Sequence, residues 1–336
     1  MKAARLHAPH DVRIDEVPTP VAGPGEVLVR VRAVSICPSD WRLYEDGHAS
    51  GVYPDHPMIQ GHEFSGDVAA LGAGVSGPAV GTPVAVEPSW HCGECDTCRA
   101  GLVNLCRHVI FPSFPQRDGA LAEYIACPAS AVRPLPPGTS YAVGALIEPL
   151  GVGLHAVRLA HLTPETRVII LGAGAIGMST LLVAHARGVQ QISVVEPLAA
   201  RREWPQRLGC APVVGSYPEL VAAGVEGDVV FECSGESSAV EEALILARPG
   251  GLVVVVGIPH PDRVTFDSTI PRRKELTVIF SRRSRECLEE SLELLASGQV
   301  DLASLPTRDY TLEQTAEALD DTAARPGDML RAIVRP

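Results

Sequence analysis

The stretch "RVIILGAGAIGMSTLLVAHARGVQQISVVEP", residues 167–197, decides the fold. An apolar run of strand type leads into Gly172, Gly174 and Gly177 in G-x-G-x-x-G order. A helical stretch follows, and a second apolar run ends at Glu196. A glycine pattern alone is a weak signal, but between a strand and a helix it reads as a dinucleotide-binding βαβ unit. Gly172 permits the tight turn, Gly174 lets the backbone approach a pyrophosphate, and Gly177 lets helix and strand pack closely. The helix N-terminus then faces the phosphates, and Ile176 in the same turn is expected to touch the cofactor. A carboxylate at Glu196 is placed to bind the ribose hydroxyls of NAD and to repel a 2'-phosphate; its plainer role is to cap the strand. Arg201 and Arg202 follow closely. Arg201 is read either as stacking on adenine or as serving a phosphate, which keeps NADP as the lesser alternative.

Working outward, "DVVFECSG" (228–235), "GGLVVVVGIP" (250–259) and "LTVIFSR" (276–282) are further apolar strands, with helical stretches such as "SSAVEEALILARPGG" (237–251) between some of them. Buried strands alternating with helices predict a parallel, doubly wound Rossmann sheet over residues 151–285, with Gly257 and Arg282 among its cofactor contacts. The segment before it, "GALIEPLGVGLHAVRLAHL" (144–162), is apolar with helical spacing and has a proline inside. Residues 1–150 read differently. "EVLVRVRAVSI" (26–36) alternates with period two, and short strands broken by Gly and Pro follow it. The tail holds an amphipathic helix, "RECLEESLELLASGQV" (285–300), and a last strand in "GDMLRAIVRP" (327–336). The expected α/β design is a β-rich domain, residues 1–150 and 286–336, interrupted by a nucleotide-binding one.

The chain of 336 residues is long enough for two cores. A net charge of -12 disfavours nucleic-acid binding, and with aromatic residues at 4% there is no stacking platform for bases. The N-terminal stretch lacks the apolar core of a signal peptide, and no apolar run is long enough for a membrane span. A cytoplasmic protein without membrane or nucleic-acid partners is expected.

In that compartment thiols stay reduced, and nine cysteines cannot all pair. "HCGECDTCRAGLVNLC" (91–106) carries Cys92, Cys95, Cys98 and Cys106 as C-x2-C-x2-C-x7-C. Such spacing converges on a tetrahedral zinc ion, with a redox or disulfide role as the alternative. A set of four thiolates leaves no position open to water, so the site reads as structural and the chemistry lies elsewhere. Cys37, His62, Glu63 and Glu148 supply the mixed donors of a catalytic zinc, although each alone has a plainer core or surface role.

Taken in order, "CPSD", "GHEFSG", "VGTPVAVEP", the cysteine lobe at about residues 90–107, "GALAEY", "EPLGVGLHAV", "LGAGAIG", "DVVFECSG" and "LELLASGQVDL" resemble the zinc-dependent medium-chain dehydrogenase/reductases, and among them the polyol (sorbitol-type) branch. The resemblance spans essentially the whole chain. It implies a GroES-like catalytic domain joined to a Rossmann coenzyme domain, two zinc ions per chain, and a homodimer or homotetramer. It also implies hydride transfer between a secondary alcohol of a polyol or cyclitol and NAD, with an alcohol or ketone as the small-molecule partner. Cys37 and His62 match the catalytic zinc ligands, and Glu63 the carboxylate that ligates or approaches the ion. Glu148 stands where simple alcohol dehydrogenases carry Cys, which favours a polyhydroxy substrate. Pro38 replaces a usual Gly, and Arg42 stands where a proton-relaying His is frequent. Arginine is no base at neutral pH, so the proton is expected to leave through Ser39, solvent and Glu148. Arg282 and Arg283 in "SRRSREC" face the nicotinamide, an anionic substrate or only solvent. An amino-alcohol dehydrogenase (threonine-type or aminocyclitol) and a non-enzymatic binding protein on the same fold are the competing readings.

Overall fold

The computed structural model describes every residue except Ala49, Ser50, Val52, Asp55 and Pro306. The chain divides into two compact units, Met1–Glu148 with Leu288–Ala296 and Asp301–Pro336, and Pro149–Cys287 with Ser297–Val300.

The first unit is built on a mainly antiparallel sheet. Its spatial order is Thr307–Thr311, Arg331–Arg335, Glu26–Ser35, Glu63–Leu71, Pro83–Val86 and Val132–Pro134, with Tyr124–Pro128 also paired to Glu26–Ser35. A separate three-stranded sheet carries Lys2–Ala8 at its centre. The period-two reading holds in the long central strand, where Val27, Val29 and Val31 point into the core. The last strand returns to this unit and sets Ile333 opposite Ser35. On its other side Ser35 lies opposite Glu63. This register brings Ser35, Glu63 and Ile333 side by side on three neighbouring interior strands.

The second unit is a six-stranded parallel sheet. The strands are Arg167–Leu171, Gln191–Val195, Val213–Val214, Gly227–Glu232, Ala247–Val255 and Thr277–Phe280. Numbered along the chain, they lie in the order 3-2-1-4-5-6, the Rossmann arrangement. Ile169, Ile170, Val230, Phe231, Val253 and Val254 are all at most 1% exposed, which is why these strands are apolar throughout and do not alternate. The order reverses between Arg167–Leu171 and Gly227–Glu232, and ligands of such sheets bind beyond the carboxyl ends of the strands at that point.

One local expectation changes. The helical stretch at 237–251 is a helix only over Ala239–Leu246; Ala247–Val255 is a strand. Pro249 has no N–H to continue a helix, and Gly250 adopts φ +69. The proline inside 144–162 is tolerated because Pro149 is the third residue of the helix Ile147–Ala160, where N–H groups have no intrahelical partner. No helix among the described residues is long and apolar enough to cross a membrane.

Candidate metal centres and dinucleotide cradle

Cys37 caps the helix Pro38–Asp46, and His62 and Glu63 stand at the start of the strand Glu63–Leu71. Their ligand atoms all lie within 4.8 Å of one another. Thiol, imidazole and carboxylate together form the donor set of a mixed zinc site with a position left for substrate. Charge also fits an ion. Three acidic side chains, Cys37, Glu63 and Asp40, crowd one guanidinium, Arg331, and a divalent cation would offset the charge they carry when ionised.

The supporting contacts are buried. Glu63 Oε1 accepts from Arg331 Nη2 at 3.1 Å, and its Oε2 accepts the Ser35 hydroxyl at 2.5 Å. Burial opposes the Arg331 charge, but Glu63, Cys37 and Glu148 hold it firmly on. Asp40 is fully buried and accepts the Cys37 N–H at 3.0 Å, the Gly61 N–H at 3.1 Å and the Ser113 hydroxyl at 2.7 Å. Burial pushes its carboxyl up, but His62 and these donors bring it below its ordinary range. Its Oδ1 lies 3.6 Å from His62 Nδ1, which leaves Nε2 of that ring for an ion. Burial likewise disfavours a charged His62, yet Asp40 and Cys37 raise its pKa well above the usual value. Burial, reinforced by Glu63, pushes the Cys37 thiol up. Loss of a thiol proton on binding a metal is therefore coupled to the whole cluster.

Glu148 lies outside the trio of ligand atoms, in the first turn of the helix Ile147–Ala160. Burial and then the Glu63 charge raise it to about 8. A carboxyl in that range can hand a proton in either direction near neutral pH. Ser39 is half-buried in the first turn of the Cys37-capped helix, and Arg42 is buried farther along it.

The four cysteines form a second cluster, also within 4.8 Å of one another. Sγ of Cys95 and Cys106 are 3.9 Å apart, and Sγ of Cys106 and Cys92 are 3.5 Å apart. Disulfides need about 2.05 Å. Four sulfurs each about 2.3 Å from a central zinc stand about 3.8 Å apart, so the spacing fits the ion. N–H groups of Cys95, Cys92 and His108 point at the sulfurs, as thiolates require. The Thr97 hydroxyl and backbone N–H groups lower the Cys95 thiol to about 5.

In the second unit Gly172 sits at φ +95. A Cβ at Gly177 would lie 1.8 Å from the Gly172 carbonyl oxygen, whereas one at Gly174 would meet nothing within 4 Å. Gly177 is thus fixed by packing, and Gly174 borders open space ahead of the helix Ala175–Ala186, where a pyrophosphate fits. Ile176 is partly exposed in the first turn of that helix. Glu196 is buried, and its two oxygens accept the N–H groups of Ala173 and Leu198, each at 2.8 Å. A carboxylate retains further acceptor sites for ribose hydroxyls. Arg202 Nη1 donates to the carbonyls of Glu196 and Pro197 at 2.8 Å, and Arg201 lies over the Trp204 ring. Gly257 is glycine for a packing reason: a Cβ would stand 2.4 Å from the Gly235 nitrogen and 2.7 Å from Glu232 Oε2. Arg282 is exposed just beyond the strand Thr277–Phe280, and Arg283 beside it adopts φ +54.

Four supporting residues escaped the sequence reading: Ser35, Asp40, Ser113 and Arg331. Asp40 had a signal, because an acidic residue three positions after a helix-capping residue reaches back to its N–H. Ser113 and Arg331 had none, being joined to the site only by tertiary structure.

Comparison with known proteins agrees with this construction. Residues 23–137 match the alcohol dehydrogenase GroES-like domain and residues 175–297 the zinc-binding dehydrogenase domain. Sorbitol dehydrogenase of Bacillus subtilis is 33% identical over 343 residues, covering 100% of this chain and 97% of the relative. The structure of galactitol-1-phosphate dehydrogenase from Escherichia coli superposes with a TM-score of 0.90 at 29% identity, covering 100% of both chains. An NADP-bound zinc-binding dehydrogenase from Sinorhizobium meliloti gives 0.88 at 28% identity, covering 100% of this chain and 99% of its own. The chain belongs to the zinc-dependent medium-chain dehydrogenases, in their polyol branch.

Proposed function

We propose that this protein oxidises a secondary alcohol of a polyol or cyclitol, with NAD as hydride acceptor and two zinc ions per chain. The observation that carries the reading is the Cys37–His62–Glu63 cluster with Glu148 as a neighbouring carboxyl instead of a thiol. When bound, zinc supplies Lewis acidity toward the substrate hydroxyl and the nicotinamide takes the hydride. Cys37, His62 and Glu63 hold the catalytic ion, and Cys92, Cys95, Cys98 and Cys106 the structural one. Arg331 and Ser35 fix the Glu63 carboxylate, and Asp40 orients His62. Ser39 and Glu148 carry the hydroxyl proton away, and Glu148 hydrogen-bonds a second substrate hydroxyl. Gly172, Gly174, Ile176 and Gly177 receive the pyrophosphate, with Glu196 on the adenosine ribose and Gly257 and Arg282 bordering the cofactor.

A homodimer or homotetramer is part of the reading, supported by the outermost strand Thr277–Phe280, whose Phe280 is 59% exposed. Sedimentation at monomer mass would overturn that part. Nine cysteines without a disulfide support a reducing, cytoplasmic setting.

The decisive assay is NADH formation on a panel of polyols, cyclitols and amino alcohols at fixed NAD. Turnover of polyols or cyclitols above amino alcohols is expected. A panel led by an amino alcohol such as threonine would replace the substrate class, and no turnover in zinc-replete protein would favour a binding role.

A further inference from the structure

We infer that Ser113 is a positioning residue for the catalytic metal: its hydroxyl fixes the Asp40 carboxylate and the Gly61 N–H, and through them the imidazole of His62. The inference rests on reading Cys37, His62 and Glu63 as a metal centre.

Ser113 is 1% exposed and adopts φ +73, the left-handed region that disfavours side chains other than Gly, Asn and Asp. A turn alone would be better served by glycine. What serine adds is its hydroxyl, which donates to Asp40 Oδ1 at 2.7 Å and accepts the Gly61 N–H at 3.0 Å. The Gly61 N–H also reaches Asp40 Oδ1 at 3.1 Å. Gly61 directly precedes His62, and Asp40 Oδ1 is the oxygen that faces His62 Nδ1 at 3.6 Å. Asp40 Oδ2 accepts the Cys37 N–H at 3.0 Å, so one carboxylate joins the backbone of two proposed ligands. Gln60 Nε2 donates to the Asp40 carbonyl at 2.7 Å and restrains the same residue from its backbone side.

The loop acts on His62 from a second direction. Phe111, two residues before Ser113, packs its ring 5.0 Å from the imidazole, and Phe114 packs edge-on against Phe111 at 5.6 Å. The ring therefore rests between an aromatic side chain and a hydrogen-bonded carboxylate, both governed by residues 111–114. Partners behind a metal-bound histidine set its tautomer and angle, and losing one typically costs ten- to a hundredfold in metal affinity or activity. Asp40 keeps two N–H donors when the Ser113 hydroxyl is removed, so the lower end of that range applies.

The test uses the full zinc-loaded chain with Ser113→Gly and Ser113→Ala. Glycine removes the hydroxyl and accommodates the left-handed turn, whereas alanine removes the hydroxyl and keeps the conformational penalty. Zinc release to a chelator is followed, together with the visible spectrum after cobalt replaces the catalytic ion. Both variants should release the Cys37-centre metal about tenfold faster, with altered cobalt bands. In both, kcat should fall by about the same factor, with KM for NAD unchanged. Ser113→Gly should have the higher Tm of the two. Wild-type zinc retention and cobalt spectrum in Ser113→Gly, with only Ser113→Ala impaired, would overturn the inference by showing that backbone conformation alone matters. A Ser113→Gly protein that fails to fold would overturn it too, since the hydroxyl would then hold the domain and not the metal. One zinc per chain in the wild-type protein, retained in Cys37→Ala, defeats the underlying metal-centre reading, an outcome visible before any Ser113 variant is compared.

Discussion

The cysteine lobe and the Cys37–His62–Glu63 centre lie in the same unit, yet they are assembled over very different distances along the chain. The lobe takes all its candidate ligands from residues 92–106, and among the described hydrophobic residues Val103 and Val109 pack against its buried cysteines. A cluster that small has almost no apolar surface to bury, so an ion must supply the order. The other centre draws Arg331 onto Glu63 across 268 positions and Ser113 onto Asp40 across 73. It sits at the ends of interior strands of a sheet whose core includes Val27, Val29, Val31 and Phe64, each at most 1% exposed. There buried contacts supply the framework, and the proposed ion would occupy it. The same element is thus expected to act as scaffold in one cluster and as reagent in the other.

The sharpest way to break this contrast is Cys37→Ala. It removes one ligand from a site whose framework stays buried and hydrogen-bonded. Activity should fall at least about 10³-fold, since Lewis acidity is worth several kcal/mol of barrier. Elemental analysis should show zinc dropping from two ions to one, while Tm changes by only a few degrees. A large loss of Tm would show that the catalytic ion also holds the fold, and the contrast would collapse. Two ions retained would mean that Cys37 is not a ligand.

Cys95→Ser probes the other side with a smaller effect on chemistry. It should lose the lobe zinc and several kcal/mol of stability, or loosen assembly if the lobe borders a subunit contact. The folded fraction should keep kcat within about threefold of wild type. Unchanged Tm and zinc content would remove the structural role of the lobe. A folded variant without turnover would make the lobe part of the catalytic machinery.

The contrast also explains what could be read in advance. The glycine loop and the cysteine lobe are local patterns, each set by spacing within one short stretch of chain, so their residues stand out in the sequence. The parallel, doubly wound sheet followed from apolar runs alternating with helices. Cys37, His62 and Glu63 could be grouped by donor type, and the resemblance matched them to ligand positions, but nothing local says that they meet. Arg331 was hidden at the head of an apolar terminal strand, where only the register of Ile333 opposite Ser35 brings it to Glu63. Ser113 was hidden because a left-handed backbone angle at serine leaves no mark in the sequence. The end of the helix Ala239–Leu246 was misjudged because apolar helix and apolar strand run together there, and pairing with Gly227–Glu232 decided the outcome.

Glu196 falls between the two kinds of site, and its effect should be the smallest. It is legible like the lobe, as the acidic residue closing the second strand of a glycine-loop unit. Yet it is braced like the catalytic centre, with both oxygens accepting N–H groups from Ala173 and Leu198. If its charge reads the ribose, a 2'-phosphate brings like charges together at a buried contact, and NAD should be preferred roughly ten- to thousandfold in kcat/KM. Glu196→Ala should then shrink that preference, chiefly by raising activity with NADP relative to NAD. If its main work is to hold the Ala173 N–H and thereby the glycine loop, the variant should lose activity with both cofactors by a similar factor and leave their ratio alone. Arg202 is engaged by the carbonyls of Glu196 and Pro197, which argues against its neutralising a phosphate in this arrangement. Equal use of NAD and NADP by the wild-type protein would show that Arg201 and Arg202, and not Glu196, govern the pocket.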